Sequence, residues 1–262
     1  MRINTLKGSE EAILKEISNS SVLLEKVENI PYLYKIISGT NVLTGLKAYA
    51  EGQFSFQDIS SCLAVLFGAP RPGYTVLDVG TRPVSKTIYL AQLMDNTGKI
   101  LWINFSARRM KPLMREVKRA NVEIVESRVA EGPDTPVLKE KADIVLLSPT
   151  CSGTGIFWRE PSLKWSVDFT KVEDTSKVQW NMINTYAEYV KDGGSLVYWT
   201  YSVTLEENEL LIERFLRLNP DFRLVEAGPR IGVSGLRGQR ECQRLYPHLH
   251  EADGSYFARL KK

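Results

Sequence analysis

Residues 74–87 read Tyr74-Thr-Val-Leu-Asp-Val-Gly80-Thr-Arg-Pro-Val-Ser-Lys-Thr87. The apolar residues Val76, Leu77 and Val79 predict a short buried strand. A turn with Gly80 and Pro83 follows, and apolar residues then recur at helical spacing. A strand, a tight turn and a helix N-terminus form the first unit of a nucleotide-binding α/β sheet, in which ligands bind at the strand ends.

The turn of this unit is unusual for a ligand-binding loop. Glycines normally occupy such a turn, because the backbone must approach the ligand or adopt a positive φ. Here Arg82, Val84 and Ser85 stand in its middle, and a β-branched valine would be strained in a left-handed conformation. The sequence therefore predicts a complete scaffold whose ligand loop is filled with side chains.

Composition indicates an ordinary soluble globular protein. The chain has 262 residues, of which 43% are hydrophobic and 25% charged. This length can bury one large core, or one main core and a small second one. No segment approaches the roughly 20 consecutive apolar residues of a membrane span, and the opening Met1-Arg-Ile-Asn-Thr5 lacks a secretion-signal pattern. We therefore expect no membrane as a partner.

The cysteines and histidines do not form a recognisable metal or disulfide pattern. Cys62, Cys151 and Cys242 are widely spaced, and His248 and His250 are the only histidines. Without a CxxC pair or an acidic partner set, we expect neither a metal site nor a disulfide framework. Unpaired cysteines are usual in reducing compartments, so a cytoplasmic location is the expectation.

Beyond a small α+β region at residues 1–50, strands and helices alternate through residues 51–262. This alternation predicts an α/β domain with a mostly parallel sheet and helices on both faces. We expect strands near residues 75–79, 98–104, 122–126, 142–147, 195–200, 222–226 and 255–260, and helices near residues 58–67, 86–95, 108–119, 172–190 and 206–218.

Basic residues concentrate in two segments, although the formal net charge is only +3. Several cations of the first segment share one helix face at the spacings i, i+3 and i+7. Two such clusters favour a polyanionic partner over two merely solvated surfaces. The first cluster comprises Arg108, Arg109, Lys111, Arg115, Lys118 and Arg119, and the second comprises Arg230, Arg237, Arg240 and Arg244.

An ordered set of short motifs runs through nearly the whole chain. It includes Arg2-Ile-Asn-Thr-Leu-Lys7, Gly52-Gln-Phe-Ser-Phe-Gln57-Asp58, Val76-Leu-Asp78, Lys86-Thr87, Cys151-Ser-Gly-Thr-Gly155, Leu196-Val-Tyr198, Glu206-Glu-Asn-Glu209 and Arg244-Leu-Tyr-Pro-His248. This set resembles the Nop/Sun family of RNA cytosine methyltransferases. That family makes 5-methylcytosine with S-adenosylmethionine on a class I methyltransferase fold of seven strands, and the resemblance adds the expectation of a late antiparallel strand pair.

The chain departs from the family at the positions of the reaction. The resemblance implies a cysteine nucleophile in a Thr-Cys-Ser motif, where this chain has Thr200-Tyr201-Ser202. A tyrosine hydroxyl, with a pKa of about 10 and a bulky ring, does not simply replace a thiolate. The family's second cysteine corresponds to Cys151, and Ser148 replaces the acid that contacts the base. The remnant catalytic positions are Lys86, Ser148, Cys151 and Tyr201.

The cofactor positions implied by the resemblance are changed as well. Asn104 stands where an acid normally ends the second strand and accepts both ribose hydroxyls. Arg82 and Arg128 would add positive charge beside a sulfonium. The remnant cofactor positions are Asp78, Gly80, Pro83, Asn104, Arg128 and Ser148.

We interpret these departures as a fold retained for binding after catalysis was lost. The expected protein is not an enzyme, needs no cofactor, and binds structured RNA, in particular rRNA or a ribosomal particle. Its RNA surface would comprise the two basic clusters and His248, and the aromatic residues Phe157, Trp158 and Trp165 would either pack or stack on unpaired bases.

Two alternatives remain open. The first is an active tRNA or rRNA cytosine-5 methyltransferase with Cys151 as nucleophile and S-adenosylmethionine as cofactor. The second is a non-catalytic protein partner of an active paralogue.

Overall fold

The computed structural model of the chain describes residues 1–80, 84–132 and 140–262. The strands are β1 (Arg2–Ile3), β2 (Leu23–Lys26), β3 (Tyr34–Ser38), β4 (Phe54–Ser55), β5 (Thr75–Gly80), β6 (Lys99–Asn104), β7 (Val125–Val129), β8 (Ala142–Ser148), β9 (Val190–Thr200), β10 (Arg223–Leu224), β11 (Val233–Ser234), β12 (Gln243–Leu245) and β13 (Ser255–Lys261). The α-helices are α1 (Glu10–Ser18), α2 (Thr40–Leu43), α3 (Lys47–Ala50), α4 (Ile59–Gly68), α5 (Val84–Leu93), α6 (Ala107–Arg119), α7 (Phe169–Ala187), α8 (Glu209–Leu218) and α9 (Pro247–His250). Two 3-10 helices cover Thr154–Ile156 and Pro161–Trp165.

The main sheet has the strand order β11-β12-β13-β9-β8-β5-β6-β7, and β10 pairs with β13. The five strands from β9 to β7 run parallel, whereas β13 is antiparallel to β9. The predicted α/β fold and its late antiparallel strands are therefore confirmed. Nine strands, rather than the predicted seven, form this sheet within the part of the chain that the structure describes.

Helices cover both faces of the sheet because the central strands are apolar on both sides. Val76 contacts the core cluster that also contains residues of α4 and α5. Its neighbour Leu77 contacts a second cluster, to which α7 contributes Met182 and Ile183. Successive side chains of a strand point to opposite faces. A strand between two helical layers consequently shows a continuous apolar run rather than alternation.

The first helices and strands form a separate small cluster beside the sheet. Ser9 caps α1 by accepting the N–H of Ala12 at 3.2 Å, β2 and β3 form an antiparallel hairpin, and β1 pairs with β4. The third apolar cluster lies between these elements. The division at residue 50 stays a prediction.

One predicted strand lies at the wrong residues. The third strand of the parallel series is β7, not residues 122–126, because Val125 is the residue that pairs with Ile100 of β6. Val122 instead donates its N–H to the Val117 carbonyl and closes the turn after α6. No helix among the described residues has the length and apolar character needed to cross a bilayer.

Candidate active site

The parallel strands place four chain segments at one edge of the sheet. β5, β6, β8 and β9 end there at Gly80, Asn104, Ser148 and Thr200. Gly80 lies opposite Ser148 in the sheet register. In open α/β sheets, ligands bind beyond the carboxyl ends of the strands. The predicted site residues at these strand ends are therefore brought together.

Asp78 lies in the central strand β5, and each of its carboxylate oxygens binds a protein group. Lys86 Nζ lies 3.3 Å from one carboxylate oxygen, and Thr87 donates its hydroxyl to the other at 2.6 Å. All three side chains are buried, and the Lys86 ammonium lies 5.7 Å from the centroid of the Trp199 ring. The pairing gives both buried side chains a partner, and it fixes α5 against β5.

Gly80 and Ser148 bring two strands unusually close. Gly80 has φ +143°, and a Cβ at this position would collide with the Ser148 backbone. The Ser148 hydroxyl donates to the Val79 carbonyl at 3.2 Å, so it binds the neighbouring strand. The adjoining turn residues Arg82 and Pro83 lie outside the described residues.

Asn104 is the last residue of β6, and only one of the two polar atoms of its side-chain amide is hydrogen-bonded within the described part of the chain. Its Oδ1 accepts the Ser106 N–H at 2.9 Å, whereas its buried Nδ2 has no hydrogen-bond partner among residues 1–80, 84–132 and 140–262. Arg128 of β7 is exposed. The amide therefore offers a donor at the predicted ribose position.

Cys151 follows β8 and is the one cysteine residue of the three that is partly exposed. Cys62 and Cys242 are completely buried, whereas Cys151 is partly exposed. Protein atoms nevertheless surround the thiol closely, and burial together with the negative charge of Glu207 raises the pKa of Cys151 to about 12. The backbone N–H groups of Gly153 and Tyr201 hydrogen-bond to this thiol and act in the opposite direction.

Tyr201 is held in place as a neutral phenol. Its hydroxyl donates to Asp58 Oδ2 at 2.9 Å, and its ring packs edge-on against Trp199 with centroids 4.6 Å apart. Burial and Asp58 raise the pKa of Tyr201 well above its ordinary value. Asp58 also accepts the Ser61 N–H at 3.0 Å and so caps α4. The sequence predicted a helix near residues 58–67, but it did not indicate the contact between Asp58 and Tyr201.

Glu207 is a site residue that the sequence analysis missed. It is completely buried and binds the segment that carries Cys151 through Ser152, whose N–H it accepts at 2.8 Å and whose hydroxyl it accepts at 2.5 Å. Its only sequence signal was its place in Glu206-Glu-Asn-Glu209, which resembled the family without indicating a role.

The first basic cluster forms an exposed helix face. Four cations of α6 at the spacings i, i+3, i+7 and i+10 are exposed: Arg108, Lys111, Arg115 and Lys118. Arg119 differs, because it donates to Glu116 at 2.6 Å and its guanidinium lies 4.9 Å from the centroid of the Tyr49 ring. It consequently turns away from this face. The side chain of Arg109 lies outside the described residues.

The second basic cluster is only partly a surface. Arg244 is 1% exposed and forms a buried ion pair with Glu209, so including it in an RNA surface was wrong. Arg237 is exposed but donates to Glu213 at 2.9 Å. Arg230 donates to the Arg240 carbonyl at 2.8 Å. Arg230, Arg240 and His248 are exposed.

Two of the aromatic residues after Cys151 are exposed. Trp158 is 59% exposed and Trp165 is 90% exposed. Trp158 donates its Nε1–H to Asp253 at 3.1 Å, and Asp253 also pairs with Arg159 at 2.9 Å. Burial raises the pKa of Asp253 to about 6. These rings are therefore available for stacking rather than used in the core.

Known proteins similar to this chain are RNA methyltransferases. The chain is 32% identical over its whole length to the 28S rRNA (cytosine(4447)-C(5))-methyltransferase of Homo sapiens, of which it covers 34%. It is 31% identical, over 84% of its length, to the tRNA (cytosine(72)-C(5))-methyltransferase of Pyrococcus horikoshii, of which it covers 55%. The chain thus spans between about a third and just over half of these curated relatives.

A solved structure agrees with these relatives. The crystal structure of a methyltransferase homolog protein from Pyrococcus horikoshii matches with a TM-score of 0.88 and 26% identity, covering 100% of this chain and 85% of that one. The predicted class I methyltransferase fold is confirmed.

Two expectations from the sequence are wrong. The prediction that the chain is not an enzyme conflicts with relatives at about 30% identity that are named as RNA cytosine-C5 methyltransferases. The prediction of no cofactor conflicts with the same names, because a methyltransferase requires a methyl donor, and S-adenosylmethionine is the one expected. The physical reason is that replaced motif residues do not by themselves remove a site: Cys151 and the Asn104 amide remain at the strand ends, and Lys86 remains paired with Asp78.

The family of this chain is shown by a family model that matches most of its sequence. The family model for 16S rRNA methyltransferase RsmB/F matches residues 65–261, which include every strand from β5 to β13. This chain belongs to the 16S rRNA methyltransferase RsmB/F family.

Proposed function

We propose that this chain is an S-adenosylmethionine-dependent RNA cytosine-C5 methyltransferase with Cys151 as its nucleophile. The names of the relatives support the reaction, and they support rRNA or tRNA as the substrate class. The observation that carries the assignment to Cys151 is its position: it is the one partly exposed cysteine, and it follows β8 at the carboxyl edge of the sheet. A ribosomal particle as the physiological partner stays a prediction.

The residues at the strand ends fit the methyl donor. The buried Asn104 Nδ2 has no partner within the described part of the chain, and a ribose hydroxyl would give it an acceptor. A buried unpartnered amide costs about 1–3 kcal/mol, so binding such a group is favourable. When bound, S-adenosylmethionine supplies an electrophilic methyl group. Asp78 accepts one hydrogen bond on each of its oxygens, from Lys86 and from Thr87, and so holds the N-terminal turn of α5 at this edge.

Cys151 would activate the base by covalent attack. Its thiolate forms a bond to carbon 6 of cytosine, and the electron pair of the 5,6 double bond makes carbon 5 nucleophilic. Once carbon 5 carries the methyl group, its proton passes to water, the 5,6 double bond forms again, and the bond from sulfur to carbon 6 breaks with its electron pair returning to the Cys151 thiolate. The N–H groups of Gly153 and Tyr201 stabilise the thiolate. Because the pKa of Cys151 is raised, we expect methyl transfer to become faster as the pH rises from 7 to 9.

The exposed surface around the site suits RNA. Arg108, Lys111, Arg115 and Lys118 place four cations on one face of α6, and contacts between cations and phosphates provide most of the affinity of such surfaces. Trp158 and Trp165 add exposed rings, and unpaired bases stack on aromatic side chains. Charge and aromatic surface thus lie on the same domain as the proposed nucleophile.

The proposal is tested by transfer of a labelled methyl group from S-adenosylmethionine to bulk rRNA and tRNA. We expect 5-methylcytosine with the wild-type chain and none with Cys151→Ala. Cys242→Ala, which removes a buried thiol away from the strand ends, is the matched control and should retain activity. Methylation that persists in Cys151→Ala would reject Cys151 as nucleophile, and no methylation of either RNA by the wild-type chain would reject the function.

A further inference from the structure

Glu207 is a buried carboxylate that connects three segments of the chain. It lies between β9 and α8 and is 0% exposed. Its partners belong to the Cys151 loop, to the segment after β9 and to α7. The hydrogen bonds are to Ser152 N–H (2.8 Å), Ser152 hydroxyl (2.5 Å), Ser202 hydroxyl (2.5 Å), Thr204 hydroxyl (3.1 Å), Thr175 hydroxyl (2.9 Å) and Gln179 Nε2–H (2.8 Å).

These contacts secure the backbone on both sides of Cys151. Ser152, the next residue, is bound directly by Glu207. On the other side, Gln179 donates to the Thr150 carbonyl at 2.9 Å and to Glu207 at 2.8 Å, so it links Thr150 to the same carboxylate. The position of the thiol between these two residues is thereby fixed relative to α7.

Glu207 also binds the end of β9 and the segment that follows it, through both its carboxylate and its backbone carbonyl. Ser202 donates its hydroxyl to Glu207, and the Glu207 carbonyl accepts the Tyr198 hydroxyl at 2.7 Å. Tyr201, which lies between these residues, supplies one of the N–H groups at the Cys151 thiol. One carboxylate therefore determines the position of the thiol and of a donor that stabilises it.

We propose that Glu207 is a positioning residue for Cys151, which holds the thiol and its backbone donors in the geometry needed for attack on the base. The role of Glu207 in catalysis rests on the proposed function, whereas its effect on the position and the pKa of the Cys151 thiol does not. Six donors saturate the two carboxylate oxygens, so Glu207 has no free lone pair with which to take a proton from substrate.

Because Glu207 is negatively charged, it raises the pKa of the Cys151 thiol as well as positioning it. The groups that affect the Cys151 charge are the Glu207 carboxylate, the neutral Tyr198 phenol and the two backbone N–H groups. Glu207→Gln removes the negative charge but keeps the shape. Its amide oxygen can still accept the N–H groups of Ser152 and Gln179, and its NH₂ can donate to the serine hydroxyls, which can also act as acceptors.

The experiment measures alkylation of Cys151 by iodoacetamide in the full chain as a function of pH, with site mapping by mass spectrometry. For Glu207→Gln we expect the profile to move to lower pH and the rate at pH 8 to rise about tenfold, which corresponds to one pKa unit. Methyl transfer by Glu207→Gln should keep its kcat, because the amide preserves the hydrogen bonds that position the thiol. Gln179→Met, which removes the hydrogen bond to the Thr150 carbonyl, should lose about tenfold in kcat with KM little changed. Glu206→Gln, the neighbouring carboxylate outside this cluster, is the matched control and should change neither measurement.

Several outcomes separate the possibilities. Alkylation of Cys62 and Cys242 alongside Cys151 would indicate general unfolding, and an unchanged alkylation profile for a folded Glu207→Gln would overturn the inference. If Glu207→Gln does not fold, Gln179→Met provides a second test, because it removes the hydrogen bond to the Thr150 carbonyl and keeps the Glu207 charge. This variant should lower kcat without changing the pH profile of Cys151 alkylation. An unaltered kcat would also overturn the inference. Because alkylation requires neither methyl donor nor RNA, a shifted profile in a chain that transfers no methyl group would reject the proposed function alone.

Discussion

Asn104 shows how much a single residue at a strand end contributes to the proposed site. Its Oδ1 is used by the Ser106 N–H, and only its Nδ2 is left to bind a ligand. An ionised aspartate would accept hydrogen bonds from both ribose hydroxyls, and hydrogen bonds to a charged group are roughly twice as strong as neutral ones. In the proposed site, the amide would therefore contact the ribose more weakly than an aspartate would.

We expect Asn104→Ala to weaken S-adenosylmethionine binding by roughly 5- to 30-fold, because it removes one hydrogen bond worth about 1–2 kcal/mol. Asn104→Asp should tighten binding. Calorimetric titration of the purified chain measures both changes. Equal affinity of the wild-type chain and Asn104→Ala would show that the amide does not face the donor.

Arg244 illustrates a charge whose role is structural. Its guanidinium is buried against Glu209, donates to the Val203 carbonyl at 2.9 Å and lies near the Tyr256 ring. The pair joins the first turn of α8 to β12. Breaking such a pair leaves the remaining charge buried and uncompensated.

For Arg244→Ala we expect a loss of about 3–5 kcal/mol in the free energy of unfolding, because the Glu209 charge remains buried. The double variant Arg244→Met, Glu209→Met should recover much of that loss. Urea denaturation followed by circular dichroism measures both. Salt-dependent RNA affinity of the folded double variant should stay close to wild type, and a large decrease would return Arg244 to the RNA surface.

Among the elements, α6 is the one whose exposed face differs most from its buried face. Val117 packs into the core, while the four cations of the exposed face point to solvent. Lysine and arginine side chains in this arrangement cannot neutralise one another. The helix therefore presents a positive surface rather than a network of ion pairs.

Replacing Arg108, Lys111 and Arg115 by glutamine should weaken RNA binding similarly for all sequences. It should also lower the slope of log affinity against log salt by about 3, or roughly one for each cation that no longer neutralises a phosphate. Filter binding at several salt concentrations measures the slope. Lys177→Gln is a suitable control, since Lys177 is exposed on α7 but pairs with Asp174. An unaltered slope in the triple variant would exclude α6 from the RNA surface.

Across the whole molecule, Arg2 connects the first elements to the main sheet. Its buried guanidinium donates to Gln57 at 2.6 Å, to Gln92 of α5 and to the Ser85 carbonyl at 3.4 Å. It also lies 4.7 Å from the centroid of the Tyr89 ring. Burial lowers the pKa of Arg2 to about 10, so the group is still charged at neutral pH and these acceptors stabilise it.

We expect the two regions to unfold together in a single urea transition. Arg2→Ala should lower the free energy of that transition by about 3 kcal/mol, because it removes hydrogen bonds to a charged group worth about 1.5–3 kcal/mol each. Tryptophan fluorescence and circular dichroism should report the same midpoint. Two separate transitions in the wild-type chain would show that residues 1–50 form an independent unit.

The sequence determined the α/β scaffold because its signals are local. Apolar runs such as Val76–Val79 depend only on neighbouring residues and on the periods of strands and helices. Those signals placed Asn104 and Ser148 at strand ends, which suffices to bring them to one edge of a parallel sheet.

Only the tertiary structure decided which side chains meet there. Ser152 and Gln179 are far from Glu207 in sequence, but both donate hydrogen bonds to its carboxylate. Arg244 is buried because it pairs with Glu209, which lies 35 residues earlier. The physical reason is that buried charges and hydrogen-bonding groups must find partners. The path of the folded chain determines which partners are within reach, and the spacing of motifs in the sequence does not reveal that path.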